Sequence, residues 1–195
     1  MRLIVTGTDT GVGKTIASAS LARPGAAYVK PAQTGEDDDA ATVHRLSGAD
    51  VFTLARYPEP LAPARAAARA GTPTISMSEV AEFVDQLPHE LVIVEGAGGL
   101  LVELDSDGGT IADLAALLDA PLVVVARAGL GTLNHTALTI EAIERRGLRC
   151  LGVVIGSWPA DPDLAMRCNL DDLEKIAPVL GRIPEGELTT MEIPA

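Results

Sequence analysis

The stretch VTGTDTGVGKT at residues 5–15 restricts the possible folds of this chain more than any other part of it. The apolar run RLIV leads into it and a helical pattern leaves it, so its glycines, Gly7, Gly11 and Gly13, sit at a strand-to-helix turn. Such glycines let the backbone curl until successive amides point inward. The helix N-terminus adds partial positive charge, Lys14 can reach β- and γ-phosphates, and the Thr15 hydroxyl can ligate Mg²⁺. Five residues separate Gly7 from Gly13, one more than in G-x-x-x-x-G-K-[ST]. The adjacent Gly-Lys-Thr and its flanks favour nucleotide phosphate binding over a merely glycine-rich turn.

The rest of the chain keeps the same alternation. Short unbroken apolar runs at 2–6, 26–30, 91–95, 121–126 and 148–156, with a weaker one at 178–183, read as buried strands. Helical patterns fall between them at 15–22, 39–48, 76–87, 110–120 and 132–147. This predicts an α/β fold in one domain over residues 1–195, with a mainly parallel sheet and right-handed crossovers. In the 132–147 helix the expected apolar face is Leu133, Ala137, Ile140 and Ile143, with Gly147 supplying the left-handed stop. Thr110 followed by Asp113 reads as a capping box, which makes Asp113 structural. The stretch 57–73, with a short helix at 61–70, reads as an excursion covering the site.

Aromatic residues make up only 3% of the chain, so an aliphatic core is expected. The net charge of −12 excludes nucleic acid as a partner, since a phosphate backbone needs a basic stripe. A bound nucleotide must therefore be met by a compact site. Cys150 and Cys168 form no metal or redox motif and read as buried thiols. No apolar stretch approaches a membrane span, and a soluble, cytoplasmic protein is expected.

Metal candidates follow from strand ends. Glu95 closes the run LVIV ahead of GAGG and would emerge at the carboxyl end of a strand beside the phosphate loop. The acidic turn EDDDAA (36–41) offers a second carboxylate, or else only a solvated helix cap. Lys30 ends a strand just before Pro31; its ammonium projects from the same sheet edge, although a lysine there is usually solvated. His135 reads as a helix-face residue rather than a base, and His44 and His89 as surface.

GTDTGVGKT, KPAQTG (30–35), VEGAGGLLVEL (94–104), LGTLNHT (130–136) and GRIPEG (181–186) together resemble the dethiobiotin synthetase family, in family order and over most of the chain. The resemblance implies an ATP- and Mg²⁺-dependent ligase. CO₂ adds to one amine of 7,8-diaminopelargonic acid, the carbamate attacks the γ-phosphate of ATP, and the second amine closes the ring. Lys14 and the amides of Gly11, Val12, Gly13, Lys14, Thr15 and Ile16 would hold the triphosphate. Thr15, Asp39 and Glu95 would surround Mg²⁺, and Lys30 would be the lead catalytic residue beside the carbamate, with Lys14. Thr34 would touch substrate, and Gly96, Ala97 and Gly98 would pass close to the ligands. Pro184, Glu185 and Gly186 match a nucleotide-contacting segment. Gly131, Thr132, Leu133 and Asn134 would receive the substrate carboxylate across a homodimer interface.

Two departures stand out. The helix after the phosphate loop is cut short by Pro24 and Gly25. Gly156 and Ser157 replace the Asn-Asp pair that commonly reads adenine, which puts base selectivity in question. The chief alternative is a P-loop ATPase switch of the partitioning type, but its signature lysine position in KGGVGKT is here Asp9. A cobyrinic-acid-type amide synthetase would need a glutaminase domain, and an inactive nucleotide-binding protein stays an alternative, although Lys14, Thr15, Lys30 and Glu95 are all present.

Overall fold

Val, Ile and Leu recur along each predicted strand without polar alternation, which only a sheet covered on both faces can satisfy. The structure, a computed structural model, describes residues 1–194. Its elements in chain order are β1 (Arg2–Gly7), α1 (Lys14–Leu21), β2 (Ala27–Thr34), α2 (Asp39–Ser47), β3 (Asp50–Tyr57), α3 (Pro63–Ala70), α4 (Met77–Gln86), β4 (Val92–Glu95), α5 (Ile111–Leu117), β5 (Leu122–Ala126), α6 (Thr132–Glu144), β6 (Cys150–Trp158), α7 (Leu164–Leu173) and β7 (Val179–Pro184). The strands form one sheet in the order β3-β2-β4-β1-β5-β6-β7 with every pairing parallel. β1 lies between β4 and β5, so the chain leaves it in both directions and a crevice opens at its carboxyl end.

Alternate strand residues feed two aliphatic cores. Ile4, Val94 and Val124 meet Val80 and Val84 of α4, Leu114 of α5 and Ile143 of α6 on one face. Leu3, Val5 and Ile93 meet Ala17 and Leu21 of α1 and Val43 of α2 on the other. Tyr28 is a fully buried aromatic within this second core. The capping boxes close as their sequences require: Thr110 and Asp113 exchange bonds at the start of α5, as Ser76 and Glu79 do at α4. Each such cap is worth about 1 kcal/mol.

Four readings need correction. Lys30 does not end its strand: β2 runs on through Pro31 to Thr34. The ladder with β4 stops at Val29, so beyond that point β2 pairs only with β3, and the donor that Pro31 lacks is not required there. On α6 the buried stripe is Thr132, Thr136, Ile140 and Ile143, while Ala137 is exposed. Thr132 and Thr136 are buried here, while Leu138 is exposed on the outer side. Cys168 is exposed on α7 and Cys150 half-buried at the start of β6, so neither is a core thiol. No residue of 57–73 lines the cavity beside the phosphate loop; Ala66 and Ala67 of α3 pack instead on Ala32 of β2 and Tyr57 of β3. The edge strand β3 and helix α7 carry no strong pattern: β3 is only half-buried, and α7 buries just Asn169 and Leu173. No helix among the described residues is long and apolar enough to cross a membrane.

Candidate active site

The loop after β1 closes onto α1 by backbone freedom that only glycine has. Gly11 and Gly13 take φ of 68° and 96°, and Gly13 serves as the N-cap of α1 without any side-chain cap, which leaves the first amides of the helix free for an anion. A Cβ on Gly13 would also stand 2.6 Å from the Gly156 carbonyl oxygen. The loop is therefore pressed against β6, and α1, only eight residues long, follows directly from it.

At the mouth of this loop lies a cavity of about 420 Å³, lined by Lys14, Thr15, Lys30, Asp39 and Glu95, among others. Four elements deliver these groups: α1, β2, α2 and β4. The Lys30 ammonium lies 2.6 Å from Asp39 Oδ2 and 2.8 Å from Glu95 Oε1, and it donates to the Gly96 carbonyl at 3.1 Å. The Thr15 hydroxyl donates toward Asp39 Oδ1 at 2.9 Å and Glu95 Oε1 at 3.2 Å, and Ser18 donates to Glu95 Oε2 at 2.7 Å. Glu95 and Lys30 are both buried, where polar groups are tolerated only when they are partnered, as these two are by each other.

The electrostatics follow from this packing. Burial by itself would lower the Lys30 pKa, but the charges and hydrogen bonds of Glu95 and Asp39 outweigh it and hold the group above its ordinary value. For Asp39 burial pushes upward, yet Lys30, Thr15 and Lys14 together bring its carboxyl below the ordinary range. Burial lowers the pKa of Lys14, Lys30 adds to that, and Glu95, Asp39 and Asp9 only partly offset it. Lys14 rests its ammonium 3.0 Å from the Asp9 carbonyl oxygen. An incoming polyphosphate would relieve this unfavourable desolvation.

The Asp39 and Glu95 carboxylates meet at the Thr15 hydroxyl, an all-oxygen donor set that suits a hard cation such as Mg²⁺ together with phosphate oxygens. Thr34, Ala97 and Gly98 line the same cavity, with Gly98 at a φ of 66°. Gly96 contributes its carbonyl to Lys30, and Val12 turns its side chain into the core. A second cavity, also about 420 Å³, shares Gly11, Gly13 and Ile16 with the first and is lined by Gly156, Ser157, Pro184, Glu185 and Gly186. Gly131, Thr132, Leu133 and Asn134 stand apart from both, at the uncapped start of α6.

Sequence reasoning passed over Gln33 and Asp37, which line the first cavity, and Ser18, which holds Glu95. Ser18 had a signal: it lies three residues after Thr15 on α1 and so shares its face. The contact between β6 and the loop had none. Gly156 lacks room for any side chain, because a Cβ there would meet Val125 Cγ1 at 2.7 Å and lie closer still to the Val12 carbonyl oxygen. This accounts for a glycine where an asparagine was expected.

Comparisons with known proteins agree with this geometry. An AAA-domain family matches residues 1–192. The chain is 58% identical over 196 residues to the ATP-dependent dethiobiotin synthetase of Saccharopolyspora erythraea, covering 94% of this chain and 87% of the relative. It is 55% identical over 199 residues to the protein of the same name from Rhodococcus jostii, covering 94% and 86%. Among solved structures, the cell division ATPase MinD of Pyrococcus furiosus aligns with a TM-score of 0.57 at 18% identity, covering 94% of this chain and 83% of that one. A ParA family ATPase from Chlorobium tepidum aligns at 0.58 and 15%, covering 94% and 84%. These two likenesses speak for the fold alone.

Proposed function

The chain belongs to the ATP-dependent dethiobiotin synthetase family, and from that premise we infer that it is the ATP-dependent ligase of biotin biosynthesis that makes dethiobiotin from 7,8-diaminopelargonic acid and CO₂. One amine of the diamine takes up CO₂ and loses a proton to give a carbamate. A carbamate oxygen displaces ADP from the γ-phosphorus, giving a carbamic-phosphoric anhydride. The second amine then attacks the carbamoyl carbon, loses a proton, and expels inorganic phosphate as the ring closes. Phosphoryl transfer of this kind asks for positioning and charge neutralisation rather than a nucleophile from the protein.

The residues suit those demands. Lys14 and the amides from Gly11 to Ile16 would bind the triphosphate. Lys30 would hold the carbamate and the migrating phosphoryl oxygens, drawing on the ammonium that Asp39 and Glu95 keep charged in a buried place. Thr15, Asp39 and Glu95 would hold Mg²⁺, which when bound supplies positive charge to the β- and γ-phosphate oxygens. The second cavity would take the nucleoside, with Pro184, Glu185 and Gly186 on one wall and Gly156 and Ser157 on the other. Since Gly156 offers backbone only, weak discrimination between bases is expected there.

A homodimer supports the rest of the substrate. Leu130, just before α6, and Leu138, in its middle, are 88% and 57% exposed, apolar side chains that a second copy would cover. The amides of Gly131 and Leu133, with Asn134, would then meet the carboxylate tail of a diamine bound in the neighbouring protomer, whereas the Thr132 amide already donates to the Gly129 carbonyl.

The single observation that carries this reading is the buried junction of Lys30 with Asp39 and Glu95 at the mouth of the phosphate loop. Phosphate release from ATP is expected only when both the diamine and bicarbonate are present. Turnover without the diamine, stimulated instead by DNA or lipid, would favour the partitioning-type switch. For the metal, Glu95→Gln is expected to raise the Mg²⁺ concentration needed for half-maximal turnover; an unchanged titration would remove Glu95 from the ligand set.

A further inference from the structure

The apex of the phosphate loop is thinly supported. Asp9, Thr10 and Gly11 are exposed, and a Cβ built on Gly11 would find nothing within 4 Å. The loop is also one residue longer between Gly7 and Gly13 than the common pattern. A carboxylate at this apex, Asp9, would by itself repel a triphosphate. A long, acidic loop with an unpacked apex should face an ordering cost before its amides can bind phosphate.

One side chain from outside the loop answers both problems. Arg127, the residue just after β5, donates through one guanidinium nitrogen to the Thr10 carbonyl at 2.9 Å and lies 3.2 Å from Asp9 Oδ2. Asp9 Oδ1 in turn accepts from the Thr10 amide at 2.7 Å, and the Asp9 carbonyl accepts from Lys14. Arg127 is half-exposed, yet its root is fixed: the buried Asn169 of α7 donates to the carbonyls of Ala128 at 2.9 Å and Gly129 at 3.1 Å. An arginine held at its base and bonded at its tip to both a carboxylate and a backbone carbonyl is a strut. An isolated surface ion pair would contribute almost nothing.

We propose that Arg127 is a positioning residue for nucleotide binding: it ties residues 9 and 10 down and neutralises Asp9, so that the loop amides stand in place before the triphosphate arrives. This rests on the reading that residues 7–15 hold the nucleotide phosphates. Arg127 makes no contact with the Lys30 junction, so its effect falls on nucleotide affinity and not on the chemical step. Asn169 supports it indirectly by fixing the 128–129 backbone.

The test is calorimetric binding of a Mg²⁺-loaded non-hydrolysable ATP analogue to the full chain, alongside steady-state kinetics. Arg127→Met is expected to weaken binding and raise the KM for ATP roughly three- to tenfold while kcat stays within about twofold. Arg127→Lys should recover only part of the loss, because both bonds leave one nitrogen held in place by the planar guanidinium, and an ammonium on a shorter, freely turning stem does not hold that position. In an Asp9→Ala background, Arg127→Met should cost clearly less than in the unmodified chain, since half of the strut is already gone. An unchanged affinity in Arg127→Met overturns the proposal. So does an equal or larger loss in the Asp9→Ala background, which would make Arg127 a direct phosphate contact. Lys14→Ala separates the two layers: it should abolish binding, and if it did not, the phosphate-loop reading itself would fail whatever Arg127 does.

Discussion

Gly156→Ala tests how tightly β6 holds the phosphate loop. The substitution adds one methyl group at a position whose backbone carries no positive φ, so any penalty is steric. Its Cβ would lie 2.7 Å from Val125 Cγ1 and 3.0 Å from the Val12 carbonyl carbon, with the Val12 oxygen nearer still. Carbon atoms pack best at about 3.5–4.0 Å, so the two sides must part by about 1 Å. Val125 is buried in the middle of the sheet and cannot give. The movement falls instead on Val12 and Gly13, whose amides would hold phosphate. Overpacking of this kind costs about 1–3 kcal/mol, or several degrees in Tm for a chain of this length. A displacement of about 1 Å in a positioning element costs about 100-fold in rate. Thermal melting and kcat/KM for ATP would read both, with the exposed variant Asp161→Ala, away from both cavities, as a control expected to change neither. A Gly156→Ala protein within threefold of the parent in kcat/KM and within about 1 °C in Tm would refute the reasoning.

Three further outcomes follow from the same geometry. Lys30→Met should keep nucleotide binding but lose most turnover, and it should destabilise the protein by about 3–5 kcal/mol, because Asp39 and Glu95 are left facing each other without a cation; normal turnover would remove Lys30 from the mechanism. If the proposed homodimer forms through this face, Leu138→Glu should shift it to monomer in sedimentation and abolish ring closure while ATP analogues still bind; an unchanged sedimentation profile would place any interface elsewhere. The pH dependence of stability has a definite sign. The pKa of Asp39 is lowered from 3.8, so its contribution is present above that pH and is lost as pH falls through the lowered value. The pKa of Lys30 is raised from 10.5, so its contribution is present below that pH and is lost as pH rises through the raised value. Denaturant melts should therefore show this pair contributing steadily between about pH 4 and 10 and failing outside that window, with the acid limb reduced in Lys30→Met. An acid limb that Lys30→Met leaves unchanged would assign the loss to other carboxylates.

While Lys30 and Asp39 entered as candidates through the family resemblance, the residues themselves determined the alternation of strands and helices, the phosphate loop with Lys14 and Thr15, the Thr110–Asp113 capping box and Glu95 as a candidate at a strand end. These are local signals: glycine conformations, apolar runs and cap spacings act within a few residues of chain and so can be read along it. Only the tertiary structure decided that Lys30 sits within β2 rather than at its end, since the ladder that stops at Val29 belongs to another strand. It alone turned Thr132 and Thr136 inward on α6 and left Leu138 outside. The half-buried β3 and sparsely packed α7 became visible only once their neighbours were in place. The same holds for the junction of Lys30, Asp39 and Glu95, for Arg127 reaching across to Asp9, and for the glycine at 156. Each joins residues far apart in sequence, and burial, ion pairing and steric room are properties of the neighbours a residue meets, which no spacing along one strand or helix encodes.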